Sequence, residues 1–259
     1  MKQIKTYILV TLAALMFLFG CEKNELRLTV YDLPQDKAYV RFFFLSPGTP
    51  AVMIKINEVK VNGSNTSGNG GLFPSFVNQP DYAAITPNGT IKLALPNTGT
   101  LNDSTVIFTG NLGLMAGKFY AVTLADTGVD RTLFSNEIDV MAIPDSGFYN
   151  VRLINAMAKS PSLSLIRVDS ASATVVTRDT IIRNLDFKNA SSYIRLPISG
   201  VNANLRFRLV TSTGVNVGAV VTPPSSTLLN QRTVTLYASG FSNGTGMFAP
   251  SLNGPIYNQ

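Results

Sequence analysis

Histidine and tryptophan are absent from the 259 residues, and cysteine occurs once. Without an imidazole there is no Ser-His-Asp triad, no histidine general base and no His-ligated metal centre. Charge is scarce too, at 14% of residues, and the glutamates are few: Glu22, Glu25, Glu58 and Glu137. A carboxylate-based hydrolase therefore has only two candidate pairs, Glu137 with Asp139 on one strand face and Asp126 with Asp130 around a Thr-Gly-Val turn. Neither has the density of a calcium loop, and solvated turn carboxylates are the commoner reading. Glycine-rich phosphate loops are missing. The arginines (Arg152, Arg167, Arg178, Arg183, Arg195, Arg206, Arg208) are spread singly along presumed strands, not gathered into the basic stripe of a nucleic-acid protein. The expectation is a protein that is not an enzyme, with no cofactor, no metal and no nucleic-acid partner.

The single cysteine, Cys21, follows a positive start (Lys2, Lys5) and an apolar run from Ile8 to Phe19. At about 1.5 Å per residue this run reaches about 18 Å as a helix, short of the roughly 30 Å hydrocarbon core. Leu18-Phe19-Gly20-Cys21 resembles the lipobox of bacterial lipoproteins. The resemblance implies cleavage after Gly20, a diacylglycerol thioether on Cys21 and acylation of the new amino terminus. Two or more chains, at roughly 0.8 kcal/mol per buried methylene, turn marginal binding into stable anchoring. Residues 1–20 are then a signal peptide, and their loss lowers the net charge from +6 to +4. An acylated Cys21 also leaves no thiol for a disulfide, so stability must come from packing.

What is abundant points to strands: twenty glycines and fourteen prolines punctuate short runs rich in Thr, Val, Asn and Ser. In Thr90 to Leu95, Ile91, Leu93 and Leu95 share one face while Thr90, Lys92 and Ala94 share the other. Similar runs are predicted near 39–44, 52–56, 58–61, 82–86, 106–112, 118–125 and 133–140, then near 149–155, 163–168, 174–182, 193–196, 205–211, 217–221 and 232–239. The two series repeat. Val40-Arg41 and Val151-Arg152 lie 111 residues apart, and Val122-Thr123-Leu124 and Val234-Thr235-Leu236 lie 112 apart. The fold class is all-β: two tandem antiparallel, immunoglobulin-like β-sandwich domains. Residues 21–33 form a tether, 34–143 the first domain, 144–241 the second and 242–259 a tail. The short connection around Pro144 suggests sandwiches set end to end.

At Val40-Arg41, Ser46-Pro47, Val52 to Ile56 and Asn62-Gly63, the chain resembles the bacterial domain-of-unknown-function 4397 family. The second copy keeps Val151-Arg152 and Ser160-Pro161 but lacks the Asn-Gly. The resemblance implies β-sandwich domains on secreted or surface lipoproteins, often of Bacteroidota, and carries no catalytic residue.

Two segments suggest surface function. Asn62 to Gly71 has no apolar residue and reads as a mobile loop, and the following stretch offers Phe73, Phe76 and Tyr82 as a ligand-binding lip able to stack on sugars. Three segments resemble the Asp-Ser/Thr-apolar acceptor of Bacteroidota O-glycosylation, with Ser104, Ser170 and Thr180 as acceptors in what should be exposed turns. The functional expectation is a lipid-anchored outer-membrane protein, facing the cell surface or, alternatively, the periplasm, that binds an envelope partner. An accessory glycan-binding lipoprotein of a polysaccharide-uptake system is the alternative, for which the three aromatics must be exposed together.

Overall fold

The computed structural model describes residues 33–74, 81–97, 102–170, 176–198, 205–222 and 229–258, so Gly20, Cys21 and Phe76 lie outside the described residues. No helix among the described residues is long and apolar enough to cross a membrane. The protein is all-β. The first half runs β1 (Ala38–Leu45), β2 (Met53–Ile56), β3 (Val59–Lys60), β4 (Asn69–Phe73), β5 (Ala83–Ile85), β6 (Ile91–Pro96), β7 (Asp103–Gly110), β8 (Phe119–Ala125) and β9 (Thr132–Ile138). The second runs β10 (Phe148–Asn155), β11 (Leu163–Ser170), β12 (Val176–Leu185), β13 (Ile194–Pro197), β14 (Arg206–Thr211), β15 (Asn216–Val221), β16 (Thr233–Ser239) and β17 (Ser251–Tyr257).

These strands form four sheets: β3-β2-β6-β7 (sheet I), β4-β1-β8-β9 with β5 also on β1 (sheet II), β13-β10-β16-β17 (sheet III) and β12-β11-β14-β15 (sheet IV). Sheets II and III share one plan. β1 pairs antiparallel with β5 and parallel with β8, which pairs antiparallel with β9. β10 does the same with β13, β16 and β17. Sheets I and IV match likewise, β2 lying between β3 and β6 as β11 lies between β12 and β14. The pairings are therefore mostly antiparallel, with one parallel pair in each half.

The repeat is in register at its first strand, where Val40 faces Ala83 as Val151 faces Ile194. It slips at the last: Arg41 pairs with Ala121, whereas Arg152 pairs with Thr235, so Val122 corresponds to Leu236 and not to Val234. A slip of two residues keeps every side chain on its face, which is why the sequence match survives it.

Strand alternation places the core. Val40, Phe42 and Phe44 meet Ile54, Ile91 and Leu93 between sheets I and II. Val151 and Leu153 meet Leu165, Phe207 and Leu209 between sheets III and IV. The opposite faces of sheets II and III are buried as well, in a third cluster of Phe43, Ala121, Phe134, Ile138, Ile154 and Tyr237, with the Phe43 and Tyr237 rings 4.3 Å apart. The halves thus stack face to face within one compact unit, Pro34–Gln259, and not end to end.

Two segments depart from expectation. Asn62, 1% exposed, uses its amide as a substitute rung of a ladder: Oδ1 accepts from the Ile54 amide at 2.8 Å, and Nδ2 donates to the Val52 carbonyl at 3.0 Å. The stretch read as a mobile loop is held by this side chain, by the Val52–Thr66 bridge and by β4 pairing with β1. The segment read as a tail supplies β17, whose Leu252 and Tyr257 join the second half's core.

Candidate functional site

The paired Val-Arg arginines point away from their own cores. Arg41 is 1% exposed, and its Nη1 donates to the Tyr257 carbonyl of β17 at 3.2 Å. Arg152 is 3% exposed, and its Nη1 donates to the Glu137 carbonyl of β9 at 2.6 Å. Each half therefore sends its arginine to the last strand of the other half, a reciprocal contact of the kind a two-fold interface makes. Tyr82 and Tyr193, again 111 residues apart, both meet Asn258 just past β17, and the Tyr82 contact crosses between the halves. The Tyr82 hydroxyl donates to the Asn258 carbonyl at 3.2 Å, and Asn258 Nδ2 donates to the Tyr193 hydroxyl at 3.1 Å. Desolvation holds both phenols above their usual pKa, and it pulls the Arg41 guanidinium below its own.

Tyr82 is therefore spent in holding the halves together, its ring set edge-on to Phe119 at 5.0 Å. Phe73 lies on the other face of sheet II, half-buried against the first core and 6.4 Å from the Phe42 ring. The structure does not bring these two members of the expected lip together, because a sheet lies between them. The expected acceptors lie in strands, not in turns. Ser104 is exposed on edge strand β7, beside an Asp103 carboxylate held by Lys55 at 2.7 Å and Lys92 at 3.1 Å. Thr180 faces Ile166 in edge strand β12, and Ser170 closes β11 opposite Val176.

The carboxylate pairs are also occupied. Glu137 binds Lys118 at 2.7 Å, and the Asp139 carboxylate accepts the Met141 amide at 2.9 Å. Asp126 accepts the Thr127 amide at 2.8 Å, while Asp130 pairs with Lys159 at 2.8 Å. Among the described residues no three His, Cys, Asp or Glu side chains gather as metal ligands would.

What the topology does gather is a set of loops. β1, β8, β10 and β16 run in one direction, because the parallel pairs align β1 with β8 and β10 with β16, and cross-half contacts align the two sheets. At the far, distal ends of β1 and β16 lies a cleft of about 330 Å³ lined by Leu45, Pro47, Gly70, Ser239, Gly240, Gly246, Met247, Ala249, Pro250, Ser251 and Asn253. The Ser46 hydroxyl, fully buried, donates to the Asp126 carbonyl at 2.5 Å and accepts from the Thr49 hydroxyl at 2.6 Å, which fixes the Ser-Pro turn on one wall. Gly240 turns the opposite wall at φ +85°, where a Cβ would come within 2.3 Å of the Ala249 carbonyl oxygen. On the floor, Asn253 Nδ2 donates to Ser239 Oγ at 2.7 Å and Ser251 Oγ donates to Asn253 Oδ1 at 3.4 Å.

Among the described residues the lining carries no charged side chain; it offers hydroxyls, one amide and backbone groups under an apolar rim with Met247 well exposed. Such a lining suits hydrogen bonding to a neutral ligand and contains no nucleophile with its base. Sequence reasoning missed this site because its lining comes from four separate segments of both halves, and Gly, Pro and Ser there read as turns. No family model and no curated protein matches the chain.

Proposed function

We propose that the protein is a lipid-anchored cell-envelope protein, not an enzyme, held to the outer membrane through Cys21 and presenting its distal loops to an envelope partner at the cell surface. One observation carries this reading. The chain joins the β body at Pro34, just before the start of β1, whereas the cleft lies past the other end of β1, eight residues on. At about 3.3 Å per residue, that is about 26 Å along the body from the point where the tether joins. The lipobox and the resemblance to surface lipoproteins support the same arrangement.

The test is metabolic palmitate labelling of the parent and Cys21→Ser, combined with photo-crosslinking from position 247 on intact cells. Label lost in the variant, with a crosslinked partner formed only in the parent, is the expected result. Equal label in both overturns the anchor. A second reading, capture of a neutral glycan, is favoured by the uncharged hydroxyl and amide lining of the cleft, and moves the sugar site away from Phe73 and Tyr82.

A further inference from the structure

The proximal end, where β1, β8, β10 and β16 begin, carries apolar side chains that are exposed among the described residues. The starts of β1 and β8 are tied together by the Gly117 amide donating to the Lys37 carbonyl at 2.7 Å and the Tyr39 amide donating to the Lys118 carbonyl at 2.9 Å. Met115 lies just before β8, and it is 55% exposed. Asn57 and Glu58 turn β2 into β3 at this same end, because Asn57 and Thr90 exchange two hydrogen bonds and the Asn88 amide donates to the Leu114 carbonyl. Val59, next to that turn, is 67% exposed. The segment from β9 to β10 completes the surface with Met141 at 61% and Ile143 at 53% exposure. It is clamped there by Asn150 Nδ2, which donates to the Ala142 carbonyl at 2.8 Å, and by the Thr233 hydroxyl, which donates to the same oxygen.

These four side chains come from three separate connections that end at one level, and the chain joins the body at that level too. From Cys21 to Leu33 the tether can span at most about 45 Å when fully extended. An acylated Cys21 therefore keeps this end within about 45 Å of the lipid.

We propose that the proximal end docks on the bilayer, with Val59, Met115, Met141 and Ile143 entering the interface between headgroups and acyl chains. This rests on the lipid-anchor reading above. The occupant is a phospholipid bilayer because the anchor delivers one to this end. The contact is apolar, since the neighbouring charges are of both signs: Lys37 beside Asp36, Lys118 beside Glu137 and Arg195 beside Asp145. Docking is accordingly insensitive to salt and needs no anionic lipid. It also fixes the direction of the body, aiming the cleft away from the membrane.

The absence of tryptophan makes the test clean, because one introduced indole is the sole such reporter. Full-length acylated Met141→Trp and Val129→Trp are reconstituted in phosphatidylcholine vesicles with brominated acyl chains. Val129 sits in the distal turn Gly128–Asp130 and is 101% exposed, so it serves as the control. The expected result is a loss of Met141→Trp emission of at least about twofold, unchanged in high salt, with Val129→Trp unaffected, as for a side chain about 5–10 Å into the interface. Ile143→Trp supplies the same reading should Met141→Trp fold poorly. Flotation of the protein with the vesicles and no bromine quenching overturns docking alone. A blue shift that grows with protein density and ignores bromine assigns the surface to a second copy, and overturns docking as well. Absence of flotation overturns the anchor reading and the docking together.

Discussion

At the scale of the residue, burial of polar groups accounts for the repeated motif. A Val-Arg pair in a strand sends Val to one face and Arg to the other. Here the second face is the junction of the halves, so a guanidinium is buried where a surface charge was expected. Tyr82, Tyr193 and Tyr237 share that environment, and Tyr149 is buried in the second half's own core. Tyr82, Tyr149, Tyr193 and Tyr237 all have pKa values raised chiefly by desolvation. In the unfolded chain a phenol ionises near pH 10, about its ordinary value. Above that pH the unfolded chain sheds protons that the folded protein keeps, so stability is complete below about pH 10 and falls as pH rises toward the folded values. Each such group removes up to about 1.4 kcal/mol per pH unit in that window. An alkaline titration followed at 295 nm should show these tyrosines ionising together, in step with the loss of the far-ultraviolet β signal. Gradual ionisation centred near pH 10 with the fold intact would contradict their burial.

At the scale of the element, the strands that alternate or run apolar were legible: of the predicted stretches, Tyr149 to Asn155 and Leu205 to Thr211 fall within a residue of β10 and β14. The Asn57-Glu58 turn was legible as well, and it pays for two positive φ angles, +49° and +65°, with the Thr90 bonds and a 2.7 Å contact from Glu58 to Lys92. β4 and β17 were not legible, since Asn69-Gly70-Gly71 and Asn253-Gly254-Pro255 look like turns and are strands only because a neighbour supplies the ladder. Asn62 is the clearest case: in sequence it begins a polar loop, and in the fold its amide does the work of a backbone. Asn62→Ala leaves the Ile54 amide buried without this partner, at about 1–3 kcal/mol, while the Val52 carbonyl keeps the Thr66 amide at 3.0 Å. Urea unfolding should therefore show a loss of about 1–3 kcal/mol. Asn62→Asp keeps the acceptor but sets a carboxylate oxygen against the Val52 carbonyl in a buried site, so at neutral pH its loss should be no smaller. A loss under about 0.5 kcal/mol for Asn62→Ala would mean that water replaces the amide at no cost.

At the scale of the whole molecule, the stacking of the halves had a sequence signature that repeat analysis alone does not read. Strands with one wet face alternate, whereas a strand covered on both faces is a nearly continuous apolar run. β1 (AYVRFFFL) and β16 (TVTLYAS) are of the second kind and are buried along almost their whole length, which marks sheets II and III as inner layers. The third cluster follows from this, and it makes the halves dependent on one another. Tyr237, 1% exposed and stacked on Phe43, belongs to that cluster alone. Replacing such a ring by alanine costs about 3–5 kcal/mol, and here the loss falls on the contact between halves while the two outer clusters keep their side chains. The parent should unfold in one calorimetric transition, and Tyr237→Ala in two, each half melting on its own core. Tyr237→Phe separates ring from hydroxyl: that oxygen has no hydrogen-bond partner among the described residues, so its removal should leave the single transition in place with stability equal or slightly higher. If Tyr237→Ala still melts as one unit, cohesion resides in the reciprocal arginine contacts to Tyr257 and Glu137 and not in the apolar faces between them.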